Sequence, residues 1–157
     1  MRTFLTILIL FFTFQTWAKA DDIRDFEIEN MSLYDSALNY FSKKKIKNSE
    51  EDYYKDKKYT TATITSPEFK TYQQVQITYK YNDKKFILLD INGIVDKNYQ
   101  ECLKEIKKIS KDFTNLFPNT IKSDLATFPH WQDKSGKSKV TDVIWKFDNG
   151  DVIVLAF

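Results

Sequence analysis

Between Gln74 and Tyr81, apolar and polar residues alternate without interruption. Val75, Ile77, Tyr79 and Tyr81 fall on one side, and Gln74, Gln76, Thr78 and Lys80 on the other. A repeat of two is what a strand with one buried face requires, and it constrains the fold more than any other feature of the chain. Asn82 and Asp83, which tolerate left-handed backbone, come next, and Ile87, Leu89 and Ile91 then recur on one side. Residues 72–91 are therefore expected to form an antiparallel hairpin with one wet face. Its apolar side needs a second layer to cover it.

The stretch after Gly93 offers that layer. Asn98 stands where a helix cap belongs, with Glu101 three residues on to complete a capping box. Tyr99, Cys102, Ile106, Ile109, Phe113 and Leu116 then recur at spacings of three and four, opposite Lys104, Lys107, Lys108 and Lys111. The pattern predicts an amphipathic helix that ends before Pro118, with its stripe laid on the neighbouring hairpin.

The remaining elements are read in the same way. Asp25 to Glu29 alternates apolar and acidic residues and reads as a short first strand, which turns Glu27 and Glu29 toward water. Ser32 with Asp35, followed by Leu33, Leu38 and Phe41, reads as a helix over 33–41. The charge-rich run from Lys43 to Lys58 reads as a solvated connection anchored by Ile46, Tyr53 and Tyr54. Thr60 to Thr65 is β-branched and strand-prone until Pro67. Residues 118–139 show no sustained periodicity. Val143, Trp145 and Phe147 alternate up to Asp148-Asn149-Gly150, a turn signal, before the apolar run from Val152 to Phe157. The order points to an α+β domain, a mostly antiparallel sheet of about five to six strands with two helices packed on one face.

Residues 1–20 read as a secretory leader: one charge at Arg2, an apolar run from Phe4 to Phe14, and Ala18-Lys19-Ala20 at the cleavage point. The run is too short to span a bilayer, so the expectation is export to the periplasm or the medium, a mature start at Asp21 and no membrane anchor after cleavage. Residues 21–157 are then a single domain. The leader holds Arg2 and Lys19 and no acid, so of the 24 basic residues 22 remain against 22 acidic ones. A balanced surface lacks the clustered cations that neutralise phosphates, and nucleic acid is not an expected partner. Cys102 is the sole cysteine, so the chain closes no internal disulfide. It reads first as a small hydrophobe on the helix stripe, and second as a thiol that pairs outside this sequence.

Asp25-Phe26-Glu27-Ile28-Glu29, Met31-Ser32, Asp35-Ser36 with Leu38, Tyr40-Phe41-Ser42, Tyr53-Tyr54-Lys55, Lys134-Ser135-Gly136-Lys137-Ser138 and Asn149-Gly150-Asp151 together carry a resemblance. Over most of its mature length the chain resembles a group of small, uncharacterised exported proteins of planktonic bacteria. The resemblance implies a location and no activity. The group usually has Gly at the positions of Asn30 and Tyr34, so the turn there is less permissive in this chain. The group's last strand also continues into a Cys-containing segment, which implies more chain after Phe157; the other reading of the apolar end is that Phe157 tucks into the sheet. A weaker likeness is to small envelope-assembly domains in which a strand, a tight turn and a short helix precede an antiparallel sheet.

Chemistry-bearing residues are few. Gly136-Lys137-Ser138 ends like a phosphate-binding loop, but Trp131 stands where the motif needs Gly and a strand follows where it needs a helix, so a polar turn is the expectation. His130, the only histidine, lacks the companions of a metal centre or the setting of a nucleophile elbow, and no metal or cofactor is expected. The long connection over 118–139 is the candidate binding region. There His130 and Trp131 supply flat faces beside Asp133 and Lys134, suited to a planar ligand such as a sugar. The plainer reading is that Phe128 and Trp131 plug the sheet edge. The chain therefore reads as a non-catalytic binding or interaction module whose partner is an unknown small molecule or envelope protein. A small periplasmic hydrolase is the alternative.

Overall fold

The computed structural model describes residues 22–157. The leader reading falls on residues 1–20, outside them.

Two antiparallel sheets make up the fold, where one was expected. The first is a meander of β1 (Glu50–Glu51), β2 (Tyr59–Ile64), β3 (Gln74–Lys80) and β4 (Asp90–Ile94) in sequence order. The second is centred on β7 (Lys139–Lys146). On one edge β7 pairs with β5 (Ile121–Lys122) and β6 (Ala126–Pro129), and on the other with β8 (Val152–Ala156). The helices are α1 (Lys43–Asn48) and α2 (Tyr99–Leu116).

The alternation in β3 is realised. Val75, Ile77 and Tyr79 are buried and meet Ala62 and Ile64 of β2 in the first core. Thr61 and Thr78 pair on the opposite face and share a hydrogen bond of 3.2 Å between their hydroxyls, both buried, so that face is not uniformly wet. The turn forms as expected, with Asn82 at φ 60° and Asp83 N–H donating to Lys80 O at 3.0 Å. Past the turn, Phe86 and Leu88 are the buried residues, not the expected Ile87 and Leu89. The reason is that the chain does not return along β3 straight after the turn: residues 86–88 bond to residues 34–37, Ala37 N–H donating to Phe86 O at 2.9 Å and Leu88 N–H to Asp35 O at 2.8 Å. The strand that pairs with β3 is β4, starting at Asp90 opposite Thr78.

The expected strand over 25–29 does not form: a 3-10 turn, Ile23–Asp25, leads into it, and Ile28 makes only a tight bridge to Met31. The expected helix over 33–41 is one 3-10 turn, Ala37–Asn39, capped by Ser36. This strap is irregular because its apolar side chains serve two cores in turn. Phe26 and Leu33 pack on the second core, while Ile28, Met31, Ala37 and Phe41 pack in the first. No single helix or strand face could present that order. Asn30 at φ 64° and Tyr34 at φ 71° are left-handed, the conformation that Gly adopts most easily. In the charge-rich run, Ser42 caps α1 and Ile46 is completely buried in the first core.

Helix α2 forms with its capping box complete: Asn98 Oδ1 accepts from Glu101 N–H at 3.1 Å and Glu101 Oε2 accepts from Asn98 N–H at 3.3 Å. Its stripe does not lie on the β3–β4 hairpin as expected. Ile106, with Leu103, Phe113 and Leu116, packs on Val143, Trp145 and Ile153 of the second sheet. Edge-to-face rings tie this core together, Phe113 to Trp145 at 5.4 Å and Phe26 to Phe113 at 5.1 Å. The β7–β8 hairpin turns at Gly150, φ 92°. Phe157 tucks into the sheet: its N–H and carbonyl pair with Thr141 and its ring lies 5.4 Å from Tyr99.

Candidate functional site

Between the two cores lies a cleft of about 730 Å³. Its lining comes from five separated stretches of chain: the strap, the loop at Thr71 and Tyr72, the β4 region, α2, and β8 with the turn before it. Phe26 and Leu33 enter from the strap, Leu89 and Ile91 from the first sheet, Cys102 and Ile109 from the helix, and Leu155 and Phe157 from β8. Both flanking strands are terminal in their sheets, β4 pairing only with β3 and β8 only with β7. The volume and the apolar lining are those of small-molecule sites.

Local contacts hold the walls. Gly93 is needed where it stands, because a Cβ there would lie 2.3 Å from the Tyr72 ring. Tyr72 thus lies flat on β4, and burial pushes its phenol pKa up. The loop carrying Tyr72 is gripped by Glu29, which accepts backbone N–H groups from Lys70 at 2.8 Å, Thr71 at 2.6 Å and Tyr72 at 3.0 Å. These bonds, led by Lys70, hold the Glu29 carboxyl below its usual range. Glu29 therefore does not simply face water as the strand reading expected. The left-handed backbone at Glu29, φ 51°, aims it at the loop instead.

The charged groups at the rim are mostly acidic: Asp90, Glu105 and Asp151 against Lys97. Lys97 pairs with Glu105 at 3.7 Å. Asp151 accepts from the Tyr34 hydroxyl at 2.9 and 3.1 Å and joins the strap to the β7–β8 turn. Asp90 accepts from Asn92 at 2.8 Å and Thr78 at 3.4 Å. Part of Asp90 reaches the surface, yet the protein packed around its carboxyl raises its pKa. Neither Asp90 nor Asp151 forms an ion pair among the described residues. Cys102 is half-buried on the cleft wall, its Sγ 3.6 Å from Lys97 O.

The sequence-derived candidates His130, Trp131, Asp133 and Lys134 sit together in the β6–β7 connection, and none lines the cleft. His130 and Trp131 are stacked, 6.2 Å apart with 15° between planes. Trp131 is 76% exposed, so it does not plug the sheet edge as the plainer reading held. Phe128 does not plug it either, lying 42% exposed on the sheet face. Asp133 is occupied by its own turn, accepting from Ser135 N–H at 2.8 Å and Ser138 N–H at 2.7 Å. Hydrogen bonding to Ser135 and Ser138 holds its carboxyl well below the usual range. His130 Nδ1 accepts from Gln132 N–H and Ser135 Oγ from Lys137 N–H. Lys134 is exposed. The phosphate-loop-like segment is a turn, with Gly136 at φ 68° and β7 beginning at Lys139. No group of three His, Cys, Asp or Glu among the described residues is placed to hold a metal ion.

Sequence reasoning missed the cleft because each apolar lining residue, taken alone, looks like an ordinary core position, and its polar neighbours look like ordinary surface ones. Comparison of the chain with protein-family models, with curated proteins and with solved structures finds no match.

Proposed function

We propose that this is an exported, non-catalytic binding module that holds an apolar small molecule in the cleft between its cores. The observation that carries the reading is the cleft itself, about 730 Å³ of largely apolar wall with its polar groups confined to a few side chains. The rim selects among apolar ligands. With Asp90 and Asp151 lacking a cationic partner and Lys97 already paired with Glu105, a neutral or cationic polar end is favoured over an anionic one.

Titration of the purified protein with two apolar fluorescent dyes tests this, neutral phenylnaphthylamine and anionic anilinonaphthalene sulfonate. The neutral dye is expected to brighten on saturable binding and to outbind the anionic one. Alkylating Cys102 or changing Ile109→Trp fills the cleft and is expected to weaken dye binding roughly tenfold or more, the scale on which a bulky group in a hydrophobic pocket acts. Trp131→Ala is expected to leave binding unchanged. A dye that fails to bind, or one lost with Trp131→Ala and kept with Ile109→Trp, would overturn the cleft as the site.

A further inference from the structure

We infer that the outer face of the second sheet is a weak interface between two copies of this chain, packed sheet against sheet. Along β7, Thr141, Val143 and Trp145 turn inward and are buried. The alternate positions Val140, Asp142, Ile144 and Lys146 face the other way. Cross-strand pairing adds Phe128 beside Val140, Val154 beside Ile144, and Ile121 with Val152 beside Lys146. This face is apolar and open: Ile121 is 72% exposed, Phe128 42%, and Val152 and Val154 48% each, the last two also bordering the cleft. β8 is apolar at every position, Val-Ile-Val-Leu-Ala, the composition of a strand covered on both sides.

The charges on the face identify the occupant. Asp142 and Lys146 stand two residues to either side of Ile144, and neither joins an ion pair among the described residues. A two-fold axis through Ile144, lying between the sheets and across the strands, runs β7 antiparallel to its copy. It sets each Asp142 against the partner's Lys146, while the parallel arrangement would set Asp142 against its own equivalent. The face is thus complementary to itself in one orientation. Overall charge does not oppose the pairing, since residues 21–157 hold 22 basic and 22 acidic groups. Three strands about 4.8 Å apart, with roughly 3.4 Å per residue over the length of β7, give a face of about 400 Å² per copy. That is about half the ~800 Å² of a standard stable interface, so the dimer is a weak and reversible one.

Sedimentation equilibrium across the micromolar range tests this, with the N-terminus of every variant verified by mass spectrometry and its fold by circular dichroism. The unaltered protein is expected to pass reversibly from monomer to dimer. Asp142→Lys and Lys146→Asp each set like charges together and are expected to weaken the dimer roughly tenfold or more, and the double exchange to restore it. Phe128→Lys, at an exposed position that tolerates charge in the monomer, is expected to abolish it. A protein that stays monomeric overturns the proposal. So does a dimer indifferent to these substitutions, which would mark pairing through the β8 edge, and so does a double exchange that fails to restore association.

Discussion

The hydroxyl of Tyr40 donates to Asp35 Oδ2 at 2.5 Å and that of Tyr79 to Glu50 Oε1 at 2.6 Å. Burial first, and the carboxylate partner second, push both phenols up, Tyr40 to about 12 from an ordinary 10.0 and Tyr79 in the same direction. An unfolded tyrosine has begun to ionise near 10 while the folded Tyr40 still holds its proton. The folded state therefore binds more protons in that window, and stability must fall as pH rises through it. The contribution of Tyr40 is complete below about 10 and is lost as pH approaches about 12. Urea midpoints measured from pH 8 to pH 12 should accordingly fall less steeply with pH for Tyr40→Phe than for the parent. Parallel curves would mean that Tyr40 titrates alike in both states. The partner of Tyr79 was not legible in the sequence, because Tyr79 and Glu50 stand on different strands, 29 residues apart, and only folding sets them together.

Helix α2 shows how far local pattern reaches. The three-and-four spacing and the capping box identify the helix, its start and its buried side, all of which depend on neighbours within one or two turns. Ile106 is 4% exposed against Val143, Trp145 and Ile153, whereas Lys107 is exposed. Ile106→Ala should therefore cost about 2–5 kcal/mol and Lys107→Ala little, read from denaturant midpoints. Equal small effects would show that the helix is not docked. What spacing cannot give is the surface that the stripe meets, and the expected hairpin was the wrong one. The strands β5 and β6 escaped for a related reason. They are two and four residues long, lie on one edge of β7 and end at Pro129, so they present too few positions for alternation to register.

At the scale of the molecule, the strap joins two cores that stay separate, and Tyr34 is one of its fastenings. Its backbone is left-handed at φ 71°, uncommon for a bulky residue, while its N–H donates to Leu88 O at 2.8 Å and its hydroxyl reaches Asp151. Tyr34→Phe keeps the strained backbone and loses the bond to the β7–β8 turn, which should lower stability by about 1–2 kcal/mol. Tyr34→Gly loses the bond too but removes a conformational cost of about 1–2 kcal/mol. Thermal melts should therefore find the Gly variant no less stable than the Phe variant. The reverse order would mean that the Tyr34 ring matters through its packing.

The sequence by itself determined β3, the β2 strand beside it, helix α2 with its cap, the Asn82 turn and the hairpin closed at Gly150. Each rests on periodicity or turn chemistry spread over a few adjacent residues. Tertiary structure decided which surface each apolar face met. It divided the chain into two sheets and aimed Glu29 at a loop some forty residues away. It also left Leu33, Leu89, Ile91, Cys102 and Ile109 along a cleft, where the sequence alone would have placed them inside a core. The physical reason is that an apolar face specifies that it will be covered, and nothing in its spacing specifies by what. That is settled only when distant stretches compete for the same surface.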